Sequence, residues 1–211
     1  MDPSIAMPVC ELEPRGAMMR VEAAELEDPE REALAALDRA DRDAALTVLM
    51  QLYGAPLYRY CRRMVDDEEL AQDAHQLTFV QAYEAMAGFS RRSSLRTWLF
   101  GIARHRCLDA IKIERRRRRR FARLDEEEDR PAAGVDPEAG LAAGSLGAGL
   151  GACLRGLTPR VRAAVLLRFQ QGLSYVQIAA LTGERAPALQ ARVARALPVL
   201  RRCLEQRGLA P

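Results

Sequence analysis

Apolar residues in this chain recur every three or four positions, and this spacing limits the fold more than any other feature. Leu57, Tyr60, Cys61 and Met64 follow it, and similar stripes return along most of the sequence. No long run alternates Val, Ile, Thr and aromatic residues as a half-buried strand does. Ala, Leu and Arg dominate, and only 5% of residues are aromatic, which favours helix over sheet. We predict an all-α fold of two small helical domains joined by a flexible linker.

Shifts in composition divide the chain into four segments. Residues 1–28 mix proline, glycine and charge without a period, which predicts a mobile tail. Residues 29–120 carry four helical patterns that can share one core, with Ser93 or Ser94 as the cap of the last helix. Residues 121–152 are rich in glycine, alanine, proline and acid, which predicts a linker. Residues 153–207 return to helical spacing, with Thr158 predicted to cap a helix that begins at Pro159.

Charge placement favours a nucleic-acid partner. The net charge is only +3, but basic residues cluster in SRRSSLRTW and in ERRRRRR, and such local asymmetry is typical of nucleic-acid binding. A solvated charged face is an alternative for each cluster. Pairing of ERRRRRR with the neighbouring acidic run DEEED is another.

Cysteine usage and hydropathy narrow the class of protein further. The five cysteines stand far apart without a C-x-x-C pair, so we expect reduced, buried thiols and no zinc site. No stretch is apolar enough to span a membrane, and the N-terminus has no basic-then-apolar leader. We therefore expect a cytoplasmic location without membrane insertion.

The stretch SYVQIAALTGERAPALQARVARAL predicts a helix-turn-helix that completes the second domain. Ser174 and Gln177 have the spacing of a capping box, and Gly183 supplies the tight turn. The inner stripe of the following helix is Leu189, Val193, Leu197 and Leu200. Two helices joined in this way match the DNA-binding motif, although a plain helical hairpin fits the same spacing.

Two prolines interrupt the second helix of this stretch. Pro187 suits a first turn, with Ala186 as the cap residue before it. Pro198 lies inside the expected helix, where it removes a backbone hydrogen bond. We therefore predict a kink or a break near Arg195.

Two separate stretches resemble one protein family. LTPRVRAAVLLRFQQGLSYVQIAALTG is similar to region 4 of bacterial extracytoplasmic-function (ECF) sigma factors, and DDEELAQDAHQLTFVQAYEAM followed by SLRTWLFGIARHRCLDAIK resembles region 2. The resemblance implies that region 2 docks on core RNA polymerase and opens the promoter −10 element. It implies that region 4 recognises the −35 element, and that an anti-sigma factor regulates the protein.

The resemblance also implies roles for individual residues. Those matching positions that face the polymerase are Asp73, Gln76 and Phe79. The alternative for Phe79, as for Leu77 and Tyr83, is a place in the core. Those implied at the −10 DNA are Arg96, Trp98, Arg104, His105, Arg106 and Lys112. Cations there suit phosphates, and Trp98 suits base stacking or, alternatively, the core. Those implied at the −35 DNA are Arg185, Ala188, Gln190, Arg192 and Arg195, among which Gln190 can pair with adenine.

Departures from the family pattern keep other functions open. Leu77 replaces an acidic residue, His105 an asparagine and Ala188 a hydroxyl residue. A degenerate sigma-like regulator, which binds polymerase or an anti-sigma factor without selective promoter recognition, is the second hypothesis. An ordinary helix-turn-helix repressor is the third, and it leaves the region 2 resemblance unexplained. The sequence has no phosphate-binding glycine loop and no evident nucleophile–base set, so we expect neither enzymatic activity nor a cofactor.

Overall fold

The computed structural model describes residues 30–65, 67–125 and 146–209, and within these ranges the regular secondary structure is helical. The α-helices are α1 Arg31–Asp38, α2 Arg42–Met64, α3 Glu68–Ala85, α4 Leu95–Asp125, α5 Leu146–Arg155, α6 Pro159–Val165, α7 Tyr175–Thr182 and α8 Ala186–Gln206. A 3-10 turn, Met86–Gly88, follows α3, and a π-helical turn, Leu166–Gln170, follows α6. The all-α prediction is confirmed. The predicted tail, residues 1–28, and residues 126–145 of the predicted linker lie outside the described residues.

Helices α1 to α4 form the N-terminal domain around an aromatic and aliphatic core. Tyr60 and Phe100 are fully buried and meet edge to face, with ring centroids 5.6 Å apart. Leu49, Leu57 and Leu99 fill the same interior without solvent exposure. Burial of such large side chains contributes most of the favourable free energy of folding.

The start of α4 is held by two separate groups. Ser94 accepts a hydrogen bond from the Thr97 backbone N–H at 3.1 Å, which confirms it as a cap. The Glu30 carboxylate also accepts from the backbone N–H groups of Leu95 at 2.7 Å and Arg96 at 2.6 Å. A negative charge at a helix N-terminus is favourable, so Glu30 ties the start of α1 to the start of α4.

Helices α5 to α8 form the C-terminal domain, which contains the predicted helix-turn-helix. Ser174 accepts from the Gln177 backbone at 3.1 Å, and the Gln177 side chain accepts from the Ser174 backbone at 2.8 Å. This reciprocal capping box starts α7. Gly183 ends it with φ of 69°, a left-handed conformation that favours glycine.

Details of the caps and of α8 differ from the predictions. Thr158 stands at the start of α6 but makes no side-chain capping hydrogen bond. Arg185, not Ala186, is the residue before α8, so the helix begins one position earlier than predicted. The predicted break near Arg195 is wrong, because α8 continues through Pro198 to Gln206. The alternative of a kink stays a prediction. Buried Val193 and Leu200 on either side of the proline anchor the helix to the domain, and this packing offsets the missing backbone bond.

Both ends of the predicted linker are helical. Helix α4 runs on to Asp125, and α5 begins at Leu146, so residues 121–125 and 146–152 belong to helices. A disulfide joins Cys153 of α5 to Cys203 of α8, with a Cα–Cα distance of 5.7 Å. The expectation of reduced thiols is therefore wrong for this pair, because the fold brings together two cysteines 50 residues apart. Cys61 and Cys107 are free and buried, as expected.

The two domains pack against each other. A Cβ atom added at Gly101 of α4 would lie 2.7 Å from Cδ2 of Leu181 in α7, so glycine permits this close approach. Nearby, the Gln177 amide donates to the Thr97 hydroxyl at 3.5 Å. The helix-turn-helix therefore rests on the first turns of α4.

Candidate functional site

An exposed face of α3 combines polar and apolar side chains. Asp73, Gln76, Leu77 and Val80 are spaced so that they share one side of the helix, and all four are exposed. Leu77 is 50% exposed and Val80 is 53% exposed, which is unusual for large apolar side chains. We call these four residues the α3 face. Asp73 and Gln76 were predicted from the sequence, whereas Val80 was missed.

Phe79 does not belong to the α3 face. Its side chain is only 6% exposed, and its ring meets the ring of His75 edge to face at 5.2 Å between centroids. His75 is in turn held by a 3.1 Å hydrogen bond between Nε2 and the Gly54 carbonyl oxygen. Burial of the Phe79 ring favours the alternative that it belongs to the core, where it supports the α3 face from beneath.

A basic cleft of about 750 Å³ lies between α4 and the C-terminal domain. Its charged lining residues are Arg104, His105, Asp109, Lys112, Arg115, Arg116, Arg119, Arg160 and Glu184. Cations outnumber carboxylates there, so the cleft attracts anions. The structure thus brings together Arg104, His105 and Lys112 of the residues predicted at the −10 DNA.

The other residues predicted at the −10 DNA lie away from this cleft. Arg96 and Trp98 belong to the first turn of α4 and are half-buried. The Trp98 ring packs against Phe89 with centroids 5.2 Å apart, which favours the alternative that it supports the core. Arg106 is half-buried as well, and its Nε has no hydrogen-bond partner among the described residues. His105 is exposed, and Asp109 one turn later holds its Nδ1 at 3.4 Å.

The basic run that ends α4 is partly paired within its own helix. Glu114 lies 3.2 Å from the Arg117 Nε and 2.8 Å from the Arg118 Nε. Both arginines are otherwise well exposed, so these pairs contribute little to stability. The alternative that DEEED pairs with the run falls mainly on residues 126–129, which lie outside the described residues.

The predicted −35 residues divide into an exposed set and one paired arginine. Ala188, Gln190 and Arg195 are exposed on the first half of α8, and Arg185 is exposed directly before it. Arg192 is half-buried, and its Nη2 lies 2.5 Å from Oε2 of Glu184 in the turn. This hydrogen bond lowers the pKa of Glu184 and raises the pKa of Arg192. Glu184 therefore fixes the direction of Arg192.

Glu184 also connects the turn with the N-terminal domain, a role that sequence reasoning missed. It lines the basic cleft, and the charges of Arg104 and Arg160 lower its pKa further, after the larger effect of Arg192. The sequence does carry a signal for it, because a carboxylate directly follows the turn glycine Gly183. Its partners come from three different helices, so the sequence alone could not supply them.

A second cleft, an apolar groove of about 860 Å³, is lined mainly by residues of the C-terminal domain. We call it the C-terminal groove; its apolar lining residues are Leu150, Leu154, Val165, Leu166, Phe169, Leu197, Leu200, Leu204 and Leu209. Arg63 and Arg201 also line it. Phe169 is 58% exposed and Leu197 is 41% exposed, although both follow the spacing of core residues. Exposed apolar surface with a polar rim is typical of protein–protein contact sites. Among the helices that the structure describes, none has the length and hydropathy to cross a bilayer.

Comparison with known proteins finds both regions of one family in order. The family model for sigma-70 region 2 matches residues 49–120, and the model for sigma-70 region 4 matches residues 148–197. The ECF RNA polymerase sigma factor SigE of Mycolicibacterium smegmatis is 32% identical over 154 residues, covering 72% of this chain and 59% of SigE. SigC, an ECF sigma factor of Mycobacterium tuberculosis, is 37% identical over 140 residues, covering 64% of this chain and 71% of SigC.

A solved structure shows the same fold. The sigma factor RpoE of Bartonella quintana, in complex with the anti-sigma factor NepR, matches with a TM-score of 0.56 at 24% identity. The match covers 74% of this chain and 94% of that one. The likeness therefore extends over both helical domains.

Proposed function

Because the chain belongs to the ECF sigma factor family, we propose that it acts as an alternative sigma factor, which binds core RNA polymerase and directs initiation at promoters with particular −10 and −35 elements. The observation that carries the proposal is the presence of both regions in order, each with exposed polar side chains at its DNA positions. Such a protein selects where the polymerase starts and performs no chemistry itself. It acts where the polymerase is, in the cytoplasm.

The α3 face is the proposed polymerase contact. Asp73 supplies a negative charge and Gln76 an amide, beside the exposed apolar side chains of Leu77 and Val80. Charge at such a surface steers association with a partner. Once the partner is bound, Leu77 and Val80 are covered, and the burial of their apolar surface stabilises the complex. Leu77 in place of an acidic residue shifts this contact toward burial of apolar surface.

The basic cleft is the proposed site for −10 DNA. Arg104 and Lys112 offer cations to phosphates, which give affinity without sequence choice. Exposed His105, oriented by Asp109, can donate a hydrogen bond to an unpaired base or stack on it. In the packed arrangement Glu184 lines the same cleft, so its carboxylate opposes the entry of DNA phosphates.

The first half of α8 is the proposed −35 recognition surface. Gln190 is exposed and offers the paired donor and acceptor that match adenine in the major groove. Ala188 offers only a methyl contact, and Arg195 can reach guanine or a phosphate. Arg192, held by Glu184, is suited to a single phosphate position.

An anti-sigma factor is the proposed partner of the C-terminal groove. The groove is apolar and has Arg63 and Arg201 along its lining, so an amphipathic helix with acidic flanks complements it. The related fold of RpoE is found with an anti-sigma factor, which supports a partner of this class. A partner that covers Phe169 and Leu197 would remove exposed apolar area from water.

Transcription with reconstituted polymerase tests the proposal. Core polymerase with the full chain should produce promoter-dependent transcripts from a library of genomic fragments. Gln190→Ala should weaken transcription from the preferred −35 sequence by roughly 5- to 150-fold, as expected for a lost bidentate base contact. Gln206→Ala, at the far end of the same helix, should leave it unchanged.

The same assay separates the proposed function from its alternative. If the chain binds core polymerase but no fragment yields a promoter-dependent transcript, the protein is the degenerate regulator. Its exposed Leu77 and its paired Arg192 are the observations that favour that outcome. Failure of the chain to bind core polymerase would contradict the proposed function and would leave only a regulator that binds an anti-sigma factor.

A further inference from the structure

The disulfide between Cys153 and Cys203 fastens a helix with weak intrinsic stability. Helix α5 has the sequence LGAGLGACLR, with glycine at three of its ten positions. Glycine is among the poorest helix-forming residues, because it loses the most backbone freedom on ordering. Tertiary contacts must therefore hold α5 in its helical form.

Those contacts come mainly from α8 and the residues after it. The disulfide joins the last turn of α5 to the last turns of α8. Leu209 packs against the opposite end of α5, where a Cβ atom on Gly149 would lie only 1.9 Å from its Cδ1. At the carboxyl end, Arg162 donates to the carbonyl oxygens of Leu154 and Arg155, each at 2.9 Å. Cutting the disulfide leaves the carboxyl end of α5 held by Arg162 and weakens its link to α8.

The disulfide spans the two walls of the C-terminal groove. Helix α5 contributes Leu150 and Leu154 to one side. Helix α8 contributes Leu197, Leu200 and Leu204 to the other. The distance between these walls is therefore fixed by a covalent bond that a thiol can break.

We propose that the Cys153–Cys203 bond is a thiol–disulfide switch, whose reduction by a low-molecular-weight thiol releases α5 and loosens the C-terminal groove. Cys203 is half-buried, whereas Cys153 is only 3% exposed. The thiolate of the reductant attacks the more accessible Cys203 sulfur, and Cys153 leaves as a thiolate that takes up a proton. A second thiol attacks the reductant's sulfur in the mixed disulfide and releases Cys203, so two reductant thiols become one disulfide.

The second cysteine pair is built differently and provides an internal control. Cys61 of α2 and Cys107 of α4 are free and fully buried in the N-terminal core. The hydrogen bond that the Cys107 thiol makes with Cys61, together with burial, raises the pKa of Cys107 well above its ordinary value. A thiol kept protonated and away from solvent is a poor nucleophile. Redox chemistry is therefore directed to the C-terminal domain.

The switch acts on the C-terminal groove, which is the proposed anti-sigma site, and its regulatory meaning rests on the proposed function. Its test uses no partner, however, so the two can fail separately. A groove that changes with redox state while no anti-sigma factor binds there would contradict only the partner proposal.

Hydrogen–deuterium exchange on the full chain tests the switch. In a Cys10→Ser background, which removes the thiol outside the described residues, the air-oxidised protein is compared with protein reduced by glutathione. We expect amides of residues 146–155 to exchange roughly tenfold faster or more after reduction, while α3 exchanges at an unchanged rate. Alkylation of intact protein followed by mass spectrometry should show two new reactive thiols, at positions 153 and 203.

Variants separate the switch from general loosening. Cys203→Ser should show the fast exchange in α5 under both conditions, and Cys107→Ala should retain the full redox response. Equal exchange of α5 in the oxidised and reduced Cys10→Ser protein would overturn the proposal. So would resistance of the disulfide to glutathione under native conditions. Because the Cys10→Ser comparison changes no residue that the structure describes, the test stands even where a variant of Cys203 or Cys107 fails to fold.

Discussion

The guanidinium of Arg162 donates a 2.7 Å hydrogen bond to the carbonyl oxygen of Met64, 98 residues earlier in the chain. Met64 ends α2, where carbonyl groups lack helical partners and a positive charge is favourable. The same guanidinium also serves the carboxyl end of α5. One buried cation, 4% exposed, therefore joins the two domains through the ends of two helices.

Replacing this cation should loosen the contact between the domains. Arg162→Met keeps the length of the side chain but leaves three carbonyl oxygens without their charged donor, so we expect a loss of roughly 3 kcal/mol or more in the free energy of unfolding. Urea denaturation measures the loss, and small-angle scattering should show a larger radius of gyration. Arg160→Met, on the exposed side of the same helix, should change stability by less than about 0.5 kcal/mol. Equal effects of the two substitutions would contradict the role given to Arg162.

Two helix-interior glycines should respond differently to the same change. Gly54→Ala should stabilise the protein by about 0.5–1 kcal/mol, because alanine is the better helix former and the structure has open space there. Gly101→Ala should lose this gain, because the new Cβ would press on Leu181. In a Leu181→Ala background the Gly101→Ala step should recover it. Thermal unfolding of wild type, Gly101→Ala, Leu181→Ala and the double variant gives the coupling free energy between the two positions. Fully additive effects would contradict the close approach of α4 and α7.

The two hydroxyl residues that precede helices of the C-terminal domain should differ in importance. Ser174→Ala removes one half of the capping box and should cost about 1 kcal/mol. Thr158→Ala, at a position without a side-chain cap, should cost only a few tenths. Chemical denaturation distinguishes the two. A larger effect at Thr158 than at Ser174 would show that the local backbone is arranged differently.

The Glu184–Arg192 pair gives a predicted dependence on pH. Arg192 holds the pKa of Glu184 below its ordinary value of 4.5, so the folded state favours the ionised carboxylate. The stability it contributes is fully present well above pH 4.5 and is lost as the pH falls through the lowered pKa. The difference in unfolding free energy between wild type and Glu184→Gln should therefore shrink below pH 4.5. As a control, Glu205→Gln removes an exposed ion pair with Arg201 and should change stability little at any pH. If the difference in unfolding free energy between wild type and Glu184→Gln stays constant with pH, the Glu184–Arg192 pair does not contribute as described.

Local signals predicted most of the fold. The capping box at Ser174, the turn at Gly183 and the cap at Ser94 depend on residues within four positions of one another, and the structure contains all three. The period of apolar residues likewise indicated the helices of both domains. These features follow from backbone geometry, which neighbouring residues determine.

Long-range partners are what the sequence could not supply. Glu30 caps a helix 65 residues away, and Arg162 bonds across 98 residues. Cys153 meets Cys203 only because α5, hidden among linker-like glycines, folds onto α8. At the candidate sites the spacing located Asp73, Gln76 and the exposed residues of α8. For Phe79 the sequence left a surface role and a core role open, because spacing alone does not distinguish the core side of a helix from its edge.

The packing of the helix-turn-helix on α4 sets a contact within the molecule against the promoter binding proposed above. Whatever path residues 126–145 take, the 21 Cα steps from Asp125 to Leu146 limit the reach between the domains to about 70 Å. Two surfaces that one chain keeps within this distance meet at an effective concentration on the order of millimolar. Dilution of the protein does not lower that value. The proposed binding of DNA and polymerase therefore competes with an intramolecular contact whose partner is always present.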